Sequence, residues 1–120
     1  MSCSMTIDAV RERRKTVTRR HVDTWRNLKP GDRLTLIEKG MGLPKGARQV
    51  VLAEVEVVDV RVEQLVEVWR EHGALEREGI DDMSPNLFAY WWARNHGYRD
   101  RRTPADLEPI LCRRIEWRYL

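Results

Sequence analysis

The clearest hydrophobic pattern lies between Val50 and Val62. Val51, Ala53, Val55 and Val57 alternate with Glu54 and Glu56 at the two-residue period of a half-buried strand. The apolar phase then moves to Val58, Val60 and Val62, with Asp59 and Arg61 polar. A slip of one residue exchanges the two faces, which predicts a bulge or sharp bend near Val57–Val58. Leu111, Ile115, Trp117 and Tyr119 alternate with Arg114, Glu116 and Arg118 and predict a C-terminal strand. A shorter strand, Arg33–Lys39, follows the turn Leu28–Asp32, whose Pro30-Gly31 pair supplies one fixed dihedral and one permissive one. Helical signals fall elsewhere. Thr6 is placed to cap a helix over Thr6–Arg14. Leu65, Val68, Trp69 and His72 recur at i, i+3, i+4 and i+7 before Gly73. Ser84 and Pro85 open a helix that Gly97 ends, with Leu87, Tyr90, Trp91 and Arg94 on one face and Phe88 and Trp92 widening it. Gly40–Gln49 reads as a basic loop. The order predicts an α+β fold with a mostly antiparallel sheet curled into a small barrel.

The 120 residues make one domain, 1–120, with 42% apolar side chains, enough for one modest core. No apolar run approaches the roughly 20 residues of a membrane helix, and the N-terminus lacks the apolar stretch of a secretory signal. A soluble, cytoplasmic chain is expected, without a membrane partner. Cys3 and Cys112 form no CxxC pair, and His21, His72 and His96 are far apart. Neither a disulfide scaffold nor a metal site is expected, and no cofactor is implied.

Charge changes the picture more than composition does. The net charge of +3 hides a partition. Residues 1–50 hold 12 basic and 5 acidic side chains, and residues 51–83 hold 3 and 10. Six of the ten residues from Arg11 to Arg20 are basic, and Arg99, Arg101 and Arg102 form a second group. Such patches attract phosphate backbones. They equally serve as solvated surface or as partners for the acidic middle segment.

The run Arg13–Arg20, RRKTVTRR, is the densest chemistry in the chain. If it is extended, Lys15, Val17 and Arg19 point one way and Thr16, Thr18 and Arg20 the other. If it is a turn, Lys15 and Thr18 converge. A plain basic strand with threonines chosen for β propensity satisfies the same spacing.

Three elements carry a resemblance. They are Arg14-Lys15-Thr16-Val17-Thr18-Arg19-Arg20, then Trp25-Arg26-Asn27-Leu28-Lys29-Pro30-Gly31-Asp32, then Glu78-Gly79-Ile80. In this order they resemble the ASCH domain of the PUA-like superfamily, over nearly the whole chain. The resemblance implies a small PUA-like β-barrel, mostly antiparallel and flanked by helices, with a cleft beside the barrel mouth. It implies binding of RNA or a modified nucleoside. One bacterial branch consists of amidohydrolases that convert N4-acetylcytidine to cytidine and acetate with a lysine, a threonine and a glutamate, which fall here on Lys15, Thr18 and Glu78. Other members are described as ribonucleases. Arg14, Thr16, Arg19, Arg20 and Trp25 are the expected ligand-binding residues around that triad, with Glu76 the alternative to Glu78. The chemistry is coherent: a threonine nucleophile needs a base, Lys15 serves only if its pKa is depressed, and a glutamic acid can protonate the leaving amine. The same side chains suit a pure binder.

Overall fold

The computed structural model describes residues 1–39 and 44–120. Helix α1 (Ile7–Arg11) leads into strand β1 (Val17–His21), and β2 (Arg33–Ile37) and the long β3 (Val51–Gln64) follow. A 3-10 turn (Leu65–Trp69), α2 (Ala74–Glu78), α3 (Pro85–Asn95) and α4 (Pro104–Leu107) then lead to the last strand, β4 (Leu111–Tyr119). The first four residues of the expected loop Gly40–Gln49 lie outside the described residues, and the rest of it forms neither helix nor strand.

The four strands form one sheet in the order β1-β4-β3-β2, and every pairing is antiparallel. The phase change in β3 is a bulge. The register with β4 moves from Val57↔Trp117 to Asp59↔Glu116, leaving Val58 unpaired and 42% exposed. Ahead of it, Val55 and Val57 join Leu34, Leu36, Ile115 and Trp117 in an apolar core that also takes in Cys3 and Val10. The sheet curls but β1 and β2 do not pair, so the expected barrel is a half-barrel. Four strands span too little circumference, since small closed barrels use about five or more. The segment before α1 ties the open edges together. The Cys3 amide donates to the Ile37 carbonyl on β2 at 2.8 Å, and Arg20 Nη2 on β1 donates to the Ser2 carbonyl at 2.6 Å.

The helices pack at one end of the sheet around a second core of Leu65, Leu75, Phe88, Trp92, Leu107 and Cys112. Helix α3 begins where expected, the Ser84 hydroxyl accepting from the Leu87 amide. Its buried face is Phe88, Ala89, Trp92 and Ala93, whereas Leu87 is 55% exposed, so the core stripe is displaced by about a residue from the expected one. The expected helix over Leu65–His72 is only a 3-10 turn. Gly73, at a φ of +69°, breaks the run, and α2 starts beyond it. Helix α1 is shorter than Thr6–Arg14 because the backbone at Arg13 turns left-handed (φ 62°), and Thr6 gives it no side-chain cap. Helix α4 was not foreseen, although Thr103 and Asp106 form a complete capping box around Pro104. Trp117 is in the core, and Trp69 only partly. No described helix is long and apolar enough to cross a membrane.

Candidate functional site

Between β1, the end of α2, α3 and the N-terminal segment lies a cavity of about 250 Å³. Lys15, Thr18, Arg20 and Glu78 all line it. Each arrives by a different local device. Thr18 and Arg20 share one face of β1 by the alternation of an extended strand, and Arg19 takes the other. Lys15 sits just ahead of β1, its carbonyl pinned by two β4 side chains, the indole of Trp117 at 3.0 Å and the hydroxyl of Tyr119. Glu78 is the last residue of α2 and is buried, whereas Glu76 on the same helix is exposed. The choice left open between the two glutamates therefore falls on Glu78.

The residue after Glu78 explains the Glu-Gly pair. Gly79 ends α2 in the left-handed region (φ 76°), and a Cβ there would lie 2.5 Å from the Ala9 Cβ and 3.1 Å from the Lys15 Cβ. Only glycine lets α2 close on α1 and the lysine. Gly79→Ala is expected to destabilise the fold by roughly 2–4 kcal/mol, from left-handed strain plus overpacking, as read from urea denaturation.

Lys15 and Glu78 are both about 3% exposed and meet across the cavity floor. Lys15 Nζ donates to the Glu78 carbonyl at 2.8 Å and the Val17 carbonyl at 2.9 Å, and lies 3.4 Å from Glu78 Oε2. Burial pushes the lysine below its ordinary range, and the Glu78 carboxylate pulls it partly back. The ammonium has an N–H for each backbone carbonyl and one for the Glu78 carboxylate. The Thr18 hydroxyl lines the same cavity, with no hydrogen bond to Lys15 in this structure.

The far side of Glu78 faces Arg19. Arg19 Nη1 donates to Glu78 Oε1 at 2.9 Å, Nη2 donates to Glu71 Oε1 at 2.9 Å, and Nη2 is 3.5 Å from Glu63. Arg114, also buried, donates to the same Glu71 oxygen at 2.7 Å and to Glu116 at 2.9 Å. Burial alone would lower the Arg19 pKa, but Glu78, Glu71 and Glu63 outweigh it and raise it. For Glu71 burial raises the pKa, and the Arg114 hydrogen bond with the Arg19 and Arg114 charges overcomes it, so the carboxyl is held below its ordinary 4.5. A depressed carboxyl pKa contributes stability that is present above the unfolded value and is lost as pH falls through the folded one. Thermal melts from pH 7 to pH 3 are expected to show a declining Tm below about pH 4.5. That decline is expected to flatten in Glu71→Gln, which also melts lower at pH 7.

The other expected ligand residues separate from this group. Arg14 is exposed and paired with Glu12 at 2.7 Å and Asp81 at 3.5 Å. Thr16 lies outside the cavity, its amide donating to the Arg77 carbonyl at 2.8 Å and its carbonyl accepting from Trp117. Trp25 sits in the turn before β2, 36% exposed and left-handed (φ 55°), away from the cavity. Arg19 is among the residues lining the cavity, but its guanidinium is fully buried on carboxylates, so it holds Glu78 instead of a ligand. On α3, Trp91 and Trp92 line the cavity, and the Trp92 indole donates to the Arg19 carbonyl at 2.9 Å. Cys3, Asn95 and His96 were missed. His96 stacks on Trp92 with ring centroids 3.8 Å apart. Asn95 and His96 follow Trp91 and Trp92 by one helical turn, a spacing that could have flagged them.

No family profile and no curated protein matches this chain. Among solved structures, the crystal structure of hypothetical protein PH0355 superposes with a TM-score of 0.62 at 17% identity, over 100% of this chain and 96% of that one. At that identity the likeness concerns the fold alone: a small α+β unit with a curled, antiparallel four-stranded sheet and a few helices.

Proposed function

We propose that this chain is a PUA-like protein of the ASCH type whose cavity receives the base of a modified nucleoside, free or within RNA. The reading rests on the meeting of Lys15 and Glu78, 63 residues apart, on the floor of one hollow that Thr18 and Arg20 also line. At about 250 Å³ the hollow lies just below the roughly 300–1,000 Å³ of drug-sized ligand sites, a scale that suits one base. Half-buried Trp91 on the cavity wall offers stacking, and the Glu78 carboxylate an acceptor for an exocyclic amine.

A second reading, metal-free hydrolysis of an N4-acylated cytidine, is favoured by a lysine whose pKa burial lowers, set beside Glu78 in the cavity that Thr18 lines. In this reading Lys15 reacts as the amine and Glu78 as the acid. The Thr18 oxygen attacks the acyl carbon while Lys15 takes the hydroxyl proton. The C–N bond then breaks, Glu78 protonates the departing amine, and water releases acetate from the threonine ester. Incubation with N4-acetylcytidine, followed by chromatography, is expected to yield cytidine and acetate in equal amounts. Tryptophan quenching without product would leave recognition alone, and the absence of both would end the two readings. A ribonuclease activity would instead appear as cleavage of labelled RNA in parallel.

A further inference from the structure

The two basic groups of the sequence fare differently in the fold: the first is mostly paired, with Arg13 exposed over the Tyr119 ring, and the second is not. In the Arg11–Arg20 cluster, Arg11 pairs with Glu38, Arg14 with Glu12 and Asp81, and Arg19 with three carboxylates, while Arg20 donates to the Ser2 carbonyl. In contrast Arg94, Arg99, Arg101 and Arg102 are all exposed, and among the described residues none forms a salt bridge. They line an open cleft of about 750 Å³ together with Tyr90 and Tyr98. One carboxylate, Asp100, shares the lining, and neighbouring Asp106 is occupied by the Arg102 and Thr103 amides at the start of α4.

We propose that this arginine–tyrosine cleft binds single-stranded RNA along its phosphates. Four cations against one free carboxylate leave a net positive charge where a polyanion releases counterions on binding. Tyr90 and Tyr98 add flat apolar faces at which unpaired bases stack, and the Arg101 guanidinium lies 5.9 Å from the Tyr98 ring centroid. The cleft also adjoins the cavity. Tyr98 stands 6.4 Å from Trp92 between ring centroids, and Trp92 is a cavity wall. Helix α3 serves both sites, with Trp91 and Asn95 toward the cavity and Tyr90 and Arg94, one turn apart, toward the cleft. A strand in the cleft would present one of its bases to the cavity, a last step that rests on the cavity reading while the cleft itself does not.

The test is fluorescence anisotropy of the full chain with a labelled, unmodified 20-nucleotide RNA across a salt series. The triple variant R99S/R101S/R102S is expected to bind at least about tenfold more weakly, with the salt slope reduced by about two, near 0.7 for each phosphate that is no longer neutralised. A matched variant, R11S/R13S/R14S, is expected to change the affinity less than about threefold, and both variants should keep the wild-type melting temperature. Equal losses in the two variants, no loss in the first, tighter binding of duplex than of single strand, or no wild-type binding at physiological salt would each overturn the proposal. Free N4-acetylcytidine, read by tryptophan quenching, isolates the cavity. Undiminished nucleoside binding by R99S/R101S/R102S supports two separate sites, and RNA binding without any nucleoside binding removes the cavity reading while the cleft stands.

Discussion

Arg19→Met is expected to cost the fold on the order of 3–5 kcal/mol, because removing one partner of a buried ion pair strands the others. The guanidinium has no exposed surface and touches Glu78 and Glu71 at 2.9 Å each. A methionine fills similar volume but leaves the Glu78 oxygen with no donor on that side. Glu71 keeps Arg114, so most of the penalty falls on Glu78. Against a typical total stability of about 5–15 kcal/mol, this loss leaves many molecules unfolded at body temperature. Urea denaturation measures it, with Arg19→Lys as control, which restores the charge without the two-pronged geometry and recovers part of the loss. A loss below about 1 kcal/mol would mean that charge is not what joins β1 to α2.

Lys15→Met is expected to act on function more than on stability. The change removes the donors to the Val17 and Glu78 carbonyls but leaves Glu78 its bond to Arg19. Release of cytidine from N4-acetylcytidine is expected to fall by about 10²–10⁴-fold, the usual contribution of a positioned base. The unfolding midpoint should move less than in Arg19→Met. Retention of full turnover would remove Lys15 from the mechanism, and loss of binding with an intact fold would assign it to recognition.

The sheet was largely legible in the sequence because strand alternation is local. The valines of β3 reported even the bulge, since an unpaired residue reverses the phase of everything after it. The helices were less legible. Between Leu65 and His72 a helical spacing was present, yet left-handed Gly73 stopped it, and Leu87 lost its place in the core to Ala89 and Ala93 through packing that no periodicity encodes. At the site, the resemblance pointed to Lys15, Thr18 and Glu78, and the fold brings them to one cavity. The roles of Arg14, Arg19 and Trp25 were not legible, because a cation's partner depends on tertiary contacts. Glu71 and Glu63, which occupy Arg19, lie more than 40 residues from it in the chain.

The unpaired Val58 has a further consequence for how the molecule keeps its shape. Had β3 run on regularly beside β4, Val58, Val60 and Val62 would stand opposite Glu116, Arg114 and Cys112, and Asp59, Arg61 and Glu63 would turn away. The same residues thus encode a rival alignment, one that sets valines against charged side chains. What disfavours it is the salt-like lattice around Arg114, which accepts acidic neighbours and rejects valines, so the charges act as a latch against sliding.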